Sequence, residues 1–219
     1  MDILSAGSPR SAAESVGIEY HRVLAGEKRR IGRGILAILL LLGGLFGAIQ
    51  VFYLLGEQLD RLLGIGSAET QVFSPVSFAT STVATALMIP WSMVIQRWLY
   101  GVRGPSLHSV VNGFRFGVFG RAVLVVVPLF VVALAVTEIV DTHTTTPWSK
   151  IDIIAFFLVV MLLVPLQAAG EEYGLRGLVF RVAGSWTRGR RGSLLLGIVV
   201  SAAVFAVIHT AADPWWNVF

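Results

Sequence analysis

The stretch Ile153-Ile154-Ala155-Phe156-Phe157-Leu158-Val159-Val160-Met161-Leu162-Leu163-Val164-Pro165-Leu166-Gln167-Ala168-Ala169-Gly170 holds eighteen residues without a charge. It runs on, with no turn signal, into Glu171-Glu172-Tyr173-Gly174-Leu175-Arg176-Gly177-Leu178-Val179-Phe180. The apolar part alone has the roughly 17–25 residues that cross a bilayer as a helix. A helix continued from Asp152 to Arg181 would be about 45 Å long, against roughly 30 Å of hydrocarbon. Part of it must tilt or protrude. Glu171 and Glu172 are then free to sit well below the membrane surface rather than at a helix end.

The rest of the chain agrees with a membrane reading. Of 219 residues, 55% are hydrophobic and only 14% charged, with a mean hydropathy of +0.77. A soluble domain carries roughly a quarter charged residues, so a water-facing globule and a disordered chain are both excluded. Uncharged runs at 34–56, 70–96, 122–137, 153–170 and 192–212 predict five spans. The expected fold is all-α, a polytopic membrane helical bundle truncated from a longer one. There is no cysteine, which excludes disulfides, thiolate nucleophiles and cysteine metal sites.

No apolar segment follows Met1 closely, so a cleaved signal peptide is not expected. Lys28, Arg29, Arg30 and Arg33 stand before or at the start of the first span. The next connection (Glu57, Asp60, Arg61, Glu69) is net −2, and the one after it (Arg97, Arg103, Arg115, Arg121) is net +4. Glu138, Asp141, Lys150 and Asp152 give −2 again. After the fourth run, Arg176, Arg181, Arg188, Arg190 and Arg191 against Glu171 and Glu172 give +3. This alternation puts the N-terminus in the cytoplasm at a cell membrane. It also accounts for the pI near 10 without a nucleic-acid partner. The chain then divides into a polar cytoplasmic segment, 1–30, three spans without motifs, 31–150, and a motif-bearing region, 151–219. Pro90, Pro128 and Pro165 are expected to kink their helices. Gly43, Gly44, Gly47, Gly113 and Gly117 offer small surfaces for helix packing and carry no functional weight.

Ionisable groups inside a membrane cost several kcal/mol unless paired, and by default they mark function. Glu172 and Arg176 stand i and i+4, one turn apart in the favoured acid-before-base order. Glu171 lies about 100° round the helix and has no such partner by spacing. Two carboxylates against one guanidinium leave −1, to be balanced by a proton, a metal cation or a charged histidine. The plainer reading makes Glu171 to Arg181 the solvated end of span four, a simple anchor. Two adjacent acids argue against it, because a positive-inside anchor gains nothing from them.

His209 is the one titratable residue in the fifth run, with Phe205 four residues earlier on the same face, placed to wall the site against lipid. A lone histidine in a span commonly bonds a neighbouring helix. Here a Glu-Glu-Arg cluster precedes it. Depth is an obstacle. Glu171 is ten residues from Arg181, about 15 Å of helix, and His209 is eighteen from Arg191, about 27 Å. If the two helices start level, the groups miss by about 12 Å.

A basic carboxylate, a histidine and a cation in a membrane suit the activation of water for peptide hydrolysis. Other membrane-protease chemistries lack their motifs. No histidine precedes a glutamate, no aspartate follows Tyr or Gly, and no Gly-x-Ser-Gly occurs. Glu171-Glu172-x-x-x-Arg176 followed by Phe205-x-x-x-His209 resembles the CPBP family, the CAAX-protease and bacteriocin-processing (Abi) group of intramembrane metalloendopeptidases. The resemblance covers about residues 151–212. It implies Glu171 as general base, Glu172 as its proton partner, Arg176 as the group holding the pair, and His209 on a metal or on the oxyanion. It also brings in zinc, with Glu171 and His209 as ligands, as one alternative to a mechanism run by the carboxylate and histidine alone.

The family pattern continues with a further histidine and a His-x-x-x-Asn element. After His209 this chain has only Trp215 and Trp216, which read as an interfacial belt, and Asn217, which cannot complete that motif. His108 and His143 are placed in connections on opposite sides, away from the motif. The expectation is therefore a piece of a longer protease acting on a hydrophobic or membrane-tethered peptide. The competing class is a non-catalytic immunity or scaffold protein that binds a peptide with the same cavity. A transporter would spread polar residues over several spans and ranks last.

Overall fold

Proline and glycine punctuate this chain, and its helices break where those residues remove or weaken backbone bonds. The structure is a computed structural model, and it describes residues 18–26, 30–64, 74–109, 113–140 and 149–212. His143, Trp215, Trp216 and Asn217 lie outside them. The helices are α1 (Ile31–Leu63), α2 (Pro75–Ala86), α3 (Met88–Tyr100), α4 (Phe116–Val140), α5 (Lys150–Leu162), α6 (Val164–Glu171), α7 (Val179–Gly184) and α8 (Arg190–Ala212). A π-helical segment, Glu172–Leu178, joins α6 to α7. Single 3₁₀ turns occupy Tyr20–Arg22 and Gly104–Leu107.

Together α2 and α3 make one span, as do α5 through α7. Five helical spans are therefore long and apolar enough to cross a membrane among the described residues. The protein is an all-α, multi-pass membrane bundle. The breaks have local causes. Pro90 lacks the N–H that would bond Ala86, and the α2–α3 boundary falls there, at Leu87. Pro165 does the same for the α5–α6 boundary at Leu163, whereas α4 runs through Pro128 unbroken. Helix starts are equally explicit. Ser74 Oγ accepts the Ser77 N–H ahead of Pro75, and Ser149 and Asp152 form a reciprocal capping box at α5.

The core lies around α1. Gly34, Ala37, Leu41 and Leu45 form one helical stripe, fully or almost fully buried, against Met88, Ile95, Leu175, Leu178, Val179 and Val182. Elsewhere the helices show leucine, valine and phenylalanine outward, and the apolar window of α4 is wholly uncovered. That is the distribution expected when lipid is the solvent.

Residues 18–26 belong to this core rather than to a detached polar tail. Leu24 and His21 are buried, and the His21 carbonyl lies directly over Gly184. Burial pushes the Tyr20 hydroxyl above its ordinary pKa, and the neighbouring Arg181 pulls it partly back. Arg181 departs furthest from the sequence expectation. It is 1% exposed and is not a solvated anchor.

Among the glycines of α1, Gly44 has a specific use. Its bare face admits the Trp91 indole, whose Nε1 donates to the Leu40 carbonyl at 2.9 Å. Gly43, next door, faces open space. Gly44→Ala should therefore overpack the Trp91 contact at a cost of about 1–3 kcal/mol. Gly43→Ala should be neutral or gain up to about 1 kcal/mol of helix propensity. Unfolding midpoints in detergent separate the two, and equal shifts would remove Trp91 from Gly44.

Candidate active site

Three contacts fix where the motif segment lies. Gly170 at the end of α6 sits on the Thr85 carbonyl of α2, a packing that any side chain would obstruct. Gly174 sits against the Met88 methyl and Leu41, and Gly177 against Leu107. The intervening backbone is π-helical, with the Val179 N–H reaching Gly174 O. Such turns are rare and are frequent at functional sites.

Glu171 ends α6 with its side chain three-quarters covered. Its Oε1 accepts from Gln167 Nε2 at 3.3 Å, and its Oε2 lies 3.8 Å from His209 Nε2 on α8. The partner that helical spacing withholds from Glu171 thus comes from α8, with Gln167, one turn back, as a second. Glu172 pairs with Arg176 as the spacing predicts, at 2.5 Å, with both side chains about half exposed. The Arg176 guanidinium lies 4.5 Å over the Phe205 ring, and the same ring stacks on His209 at 4.0 Å and 23°. Phe205 therefore touches the cation of one motif and the histidine of the other.

The depth obstacle disappears because α7 and α8 do not start level at Arg181 and Arg191. Ser193 Oγ donates to the Gly184 carbonyl, and Gly197 lies against Phe180. From that level pair, Glu171 is thirteen residues away and His209 sixteen. The remaining three residues amount to about 4.5 Å of helix, which side-chain reach closes. The expected 12 Å miss is thus an error of reference point.

His209 Nδ1 bonds the Phe205 carbonyl at 2.8 Å, and a carbonyl only accepts, so Nδ1 carries the proton. Nε2 then faces Glu171 either as a lone pair or, in the charged ring, as a second N–H. Two atoms that share a zinc ion at about 2.0–2.1 Å each are at most about 4.2 Å apart, so this pair is within bridging reach. The donor set nevertheless stops there. No group of three metal-ligating side chains occurs among the described residues, and a catalytic zinc takes three protein ligands.

His108 departs from its expected isolation. Its Nδ1 and the Tyr173 hydroxyl share a 2.5 Å hydrogen bond on the motif segment itself. Of the groups the sequence reading missed, Gln167 was discoverable, because it stands one helical turn before Glu171. The burial of Arg181 was not, since nothing local separates it from Arg188, Arg190 and Arg191.

The absence of cysteine makes the central distance testable. A Glu171→Cys/His209→Cys variant should be cross-linked rapidly by a short bifunctional thiol reagent, as seen by the altered fragment pattern after proteolysis. The control pair at 171 and 198 should not react, since Ile198 is about three turns from His209 on α8. Equal rates for both pairs would refute the arrangement.

A multi-pass membrane protein carrying this arrangement invites comparison with known proteins. No curated protein and no solved structure matches the chain. Residues 150–219 do match a family model, that of Type II CAAX prenyl endopeptidase Rce1-like proteins. Over this segment, from the start of α5 onward, the chain is similar to a family of CAAX-type membrane proteases, as the two motifs imply.

Proposed function

We propose that the chain is an intramembrane endopeptidase that hydrolyses hydrophobic or membrane-tethered peptides between α6, the π segment and α8. The observation that carries this reading is Glu171 facing His209 at 3.8 Å across two helices. Glu171, as carboxylate, takes a proton from water while the hydroxide attacks the scissile carbonyl carbon. A charged His209 donates from Nε2 to the developing oxyanion. On collapse of the tetrahedral intermediate, the proton held by Glu171 passes to the leaving amine. The substrate is cut and one water consumed.

Charge supports these roles. Glu171, Glu172, Arg176 and a protonated His209 sum to zero, the one balance that needs neither a metal nor a neutral carboxyl. Arg176 holds Glu172 on the adjacent face and leaves Glu171 directed at His209. Zinc, the cofactor that the resemblance brings, would use Glu171 and His209 as ligands and polarise the carbonyl. The described residues supply only two ligands, one fewer than a catalytic zinc takes from a protein. The basic end of the bundle, with residues 18–26, is assigned to the cytoplasmic side of the cell membrane by the positive-inside rule.

In proteoliposomes, Glu171→Gln and His209→Ala should each lower cleavage of a membrane-tethered peptide by about 10²–10⁴-fold, Glu171→Gln with little change in unfolding midpoint. Dialysis against a chelator should leave cleavage within about twofold, where a zinc enzyme would lose it. Wild-type binding of the peptide without hydrolysis would instead favour the non-catalytic scaffold, which the half-exposed Glu172 and Arg176 side chains also suit.

A further inference from the structure

A π segment needs support, because its wider turn weakens packing along its own axis and few helices adopt one. Here the support comes from outside the motif helices. Loop residues 104–108 and the turn at Tyr20 press on the π segment. Leu107 lies over Gly177, where a Cβ would stand 3.3 Å from its methyl, and the Tyr20 hydroxyl donates to the Leu107 carbonyl at 3.2 Å. His108 then reaches Tyr173, with ring centroids 5.5 Å apart in an edge-on contact and a hydrogen bond of 2.5 Å.

The loop is itself anchored. Arg181 Nη1 donates to Gln96 Oε1 at 2.9 Å and to Ser106 Oγ at 3.0 Å, and its Nη2 donates to the Ser106 carbonyl at 2.6 Å. Gln96 Nε2 donates in turn to Ser106 Oγ and to the Arg103 carbonyl. Arg181, Gln96 and Ser106 are all buried, so Ser106 is held by three bonds and His108, two residues on, is presented to the π segment.

The geometry points to His108 as a positioning residue for the glutamate pair, acting through Tyr173. A π turn inserts one residue relative to an α turn, so it rotates the helix above against the helix below by about 100°. Glu171 stands at one edge of that insertion and Tyr173 two residues inside it. Holding Tyr173 fixes the rotation that sends Glu171 toward His209 while Glu172 stays with Arg176. The hydrogen bond and ring contact of His108 go to Tyr173, not to any of the four motif residues.

This inference rests on the peptidase reading for its kinetics but not for its geometry, and two readouts keep them separate. The first is cleavage. Tyr173→Phe removes only a hydroxyl, and His108→Phe removes the ring nitrogen. Each should lower kcat at least tenfold at a KM within twofold of wild type, because small misplacements of a catalytic group cost up to about 10²-fold. The double variant should lose no more than either single one, and His108→Gln should restore part of the rate.

The second readout is the cross-linking rate of the Glu171→Cys/His209→Cys pair, which needs no peptidase activity. It should slow at least fivefold with His108→Phe or Tyr173→Phe. Unchanged cross-linking in both backgrounds would overturn the positioning role whatever the kinetics. Slowed cross-linking in a protein that cleaves nothing would uphold it and sink the peptidase reading instead.

Discussion

A guanidinium buried among neutral acceptors holds the basic end of this bundle together. Arg181 bonds Gln96 and Ser106 and lies 3.7 Å under the Tyr20 ring. It thereby joins α7, α3, the 104–107 turn and the N-terminal segment at one point. Each bond to a charged group contributes more than a neutral one, about 1.5–3 kcal/mol against about 1. The larger consequence is what would follow from losing the arginine. Gln96 Oε1 and the Ser106 carbonyl would be left buried without their donor, and the loop that covers the π segment would lose its tie to α7. A residue that reads in sequence as one more topology charge is thus an internal fastening.

The helical hairpin of α7 and α8 settles which motif residues meet. Membrane helices gain little from excluding lipid, so their register comes from close packing and interhelical hydrogen bonds. Here both occur at a few sites. The bare face of Gly197 lets Phe180 approach, and Ser193 bonds the Gly184 carbonyl. These contacts displace α8 relative to the level inferred from its basic residues. A shift of one turn, about 5.4 Å, would separate Glu171 from His209 altogether.

Spans were the most legible feature in the sequence, because the absence of charge over eighteen residues leaves few alternatives. Each of the five uncharged runs coincides with one helical span over the described residues, save for the start of the second run ahead of Pro75, and the outward-facing leucines and valines follow directly. The two motifs were legible as spacing, and Glu172–Arg176 pairs as spacing requires. What spacing cannot carry is the relation between helices. Glu171 looked partnerless because its partner is on another helix, and the helix levels were misjudged because arginines mark a charge band rather than a packing plane. The π segment was invisible for a related reason. Its signal is a set of glycines at 174 and 177 that acquire meaning only once Met88, Leu41 and Leu107 are seen against them.

The position of the acidic pair then becomes a question of electrostatics in a poor solvent. Glu171 is about 20 Å of helix from Gly184, well inside its span, where an unpaired carboxylate costs several kcal/mol. Glu172 meets that cost within its own helix, through Arg176. Glu171 meets it only through α8, since Gln167 is neutral. Phe205 lies against both the Arg176 guanidinium and the His209 ring, so the local pair and the interhelical pair share one apolar wall. Displacing α8 would uncover Arg176 and leave Glu171 unpaired in the same movement. Helix docking and charge balance are therefore a single condition here, and the groups suited to activating water are assembled only when it is met.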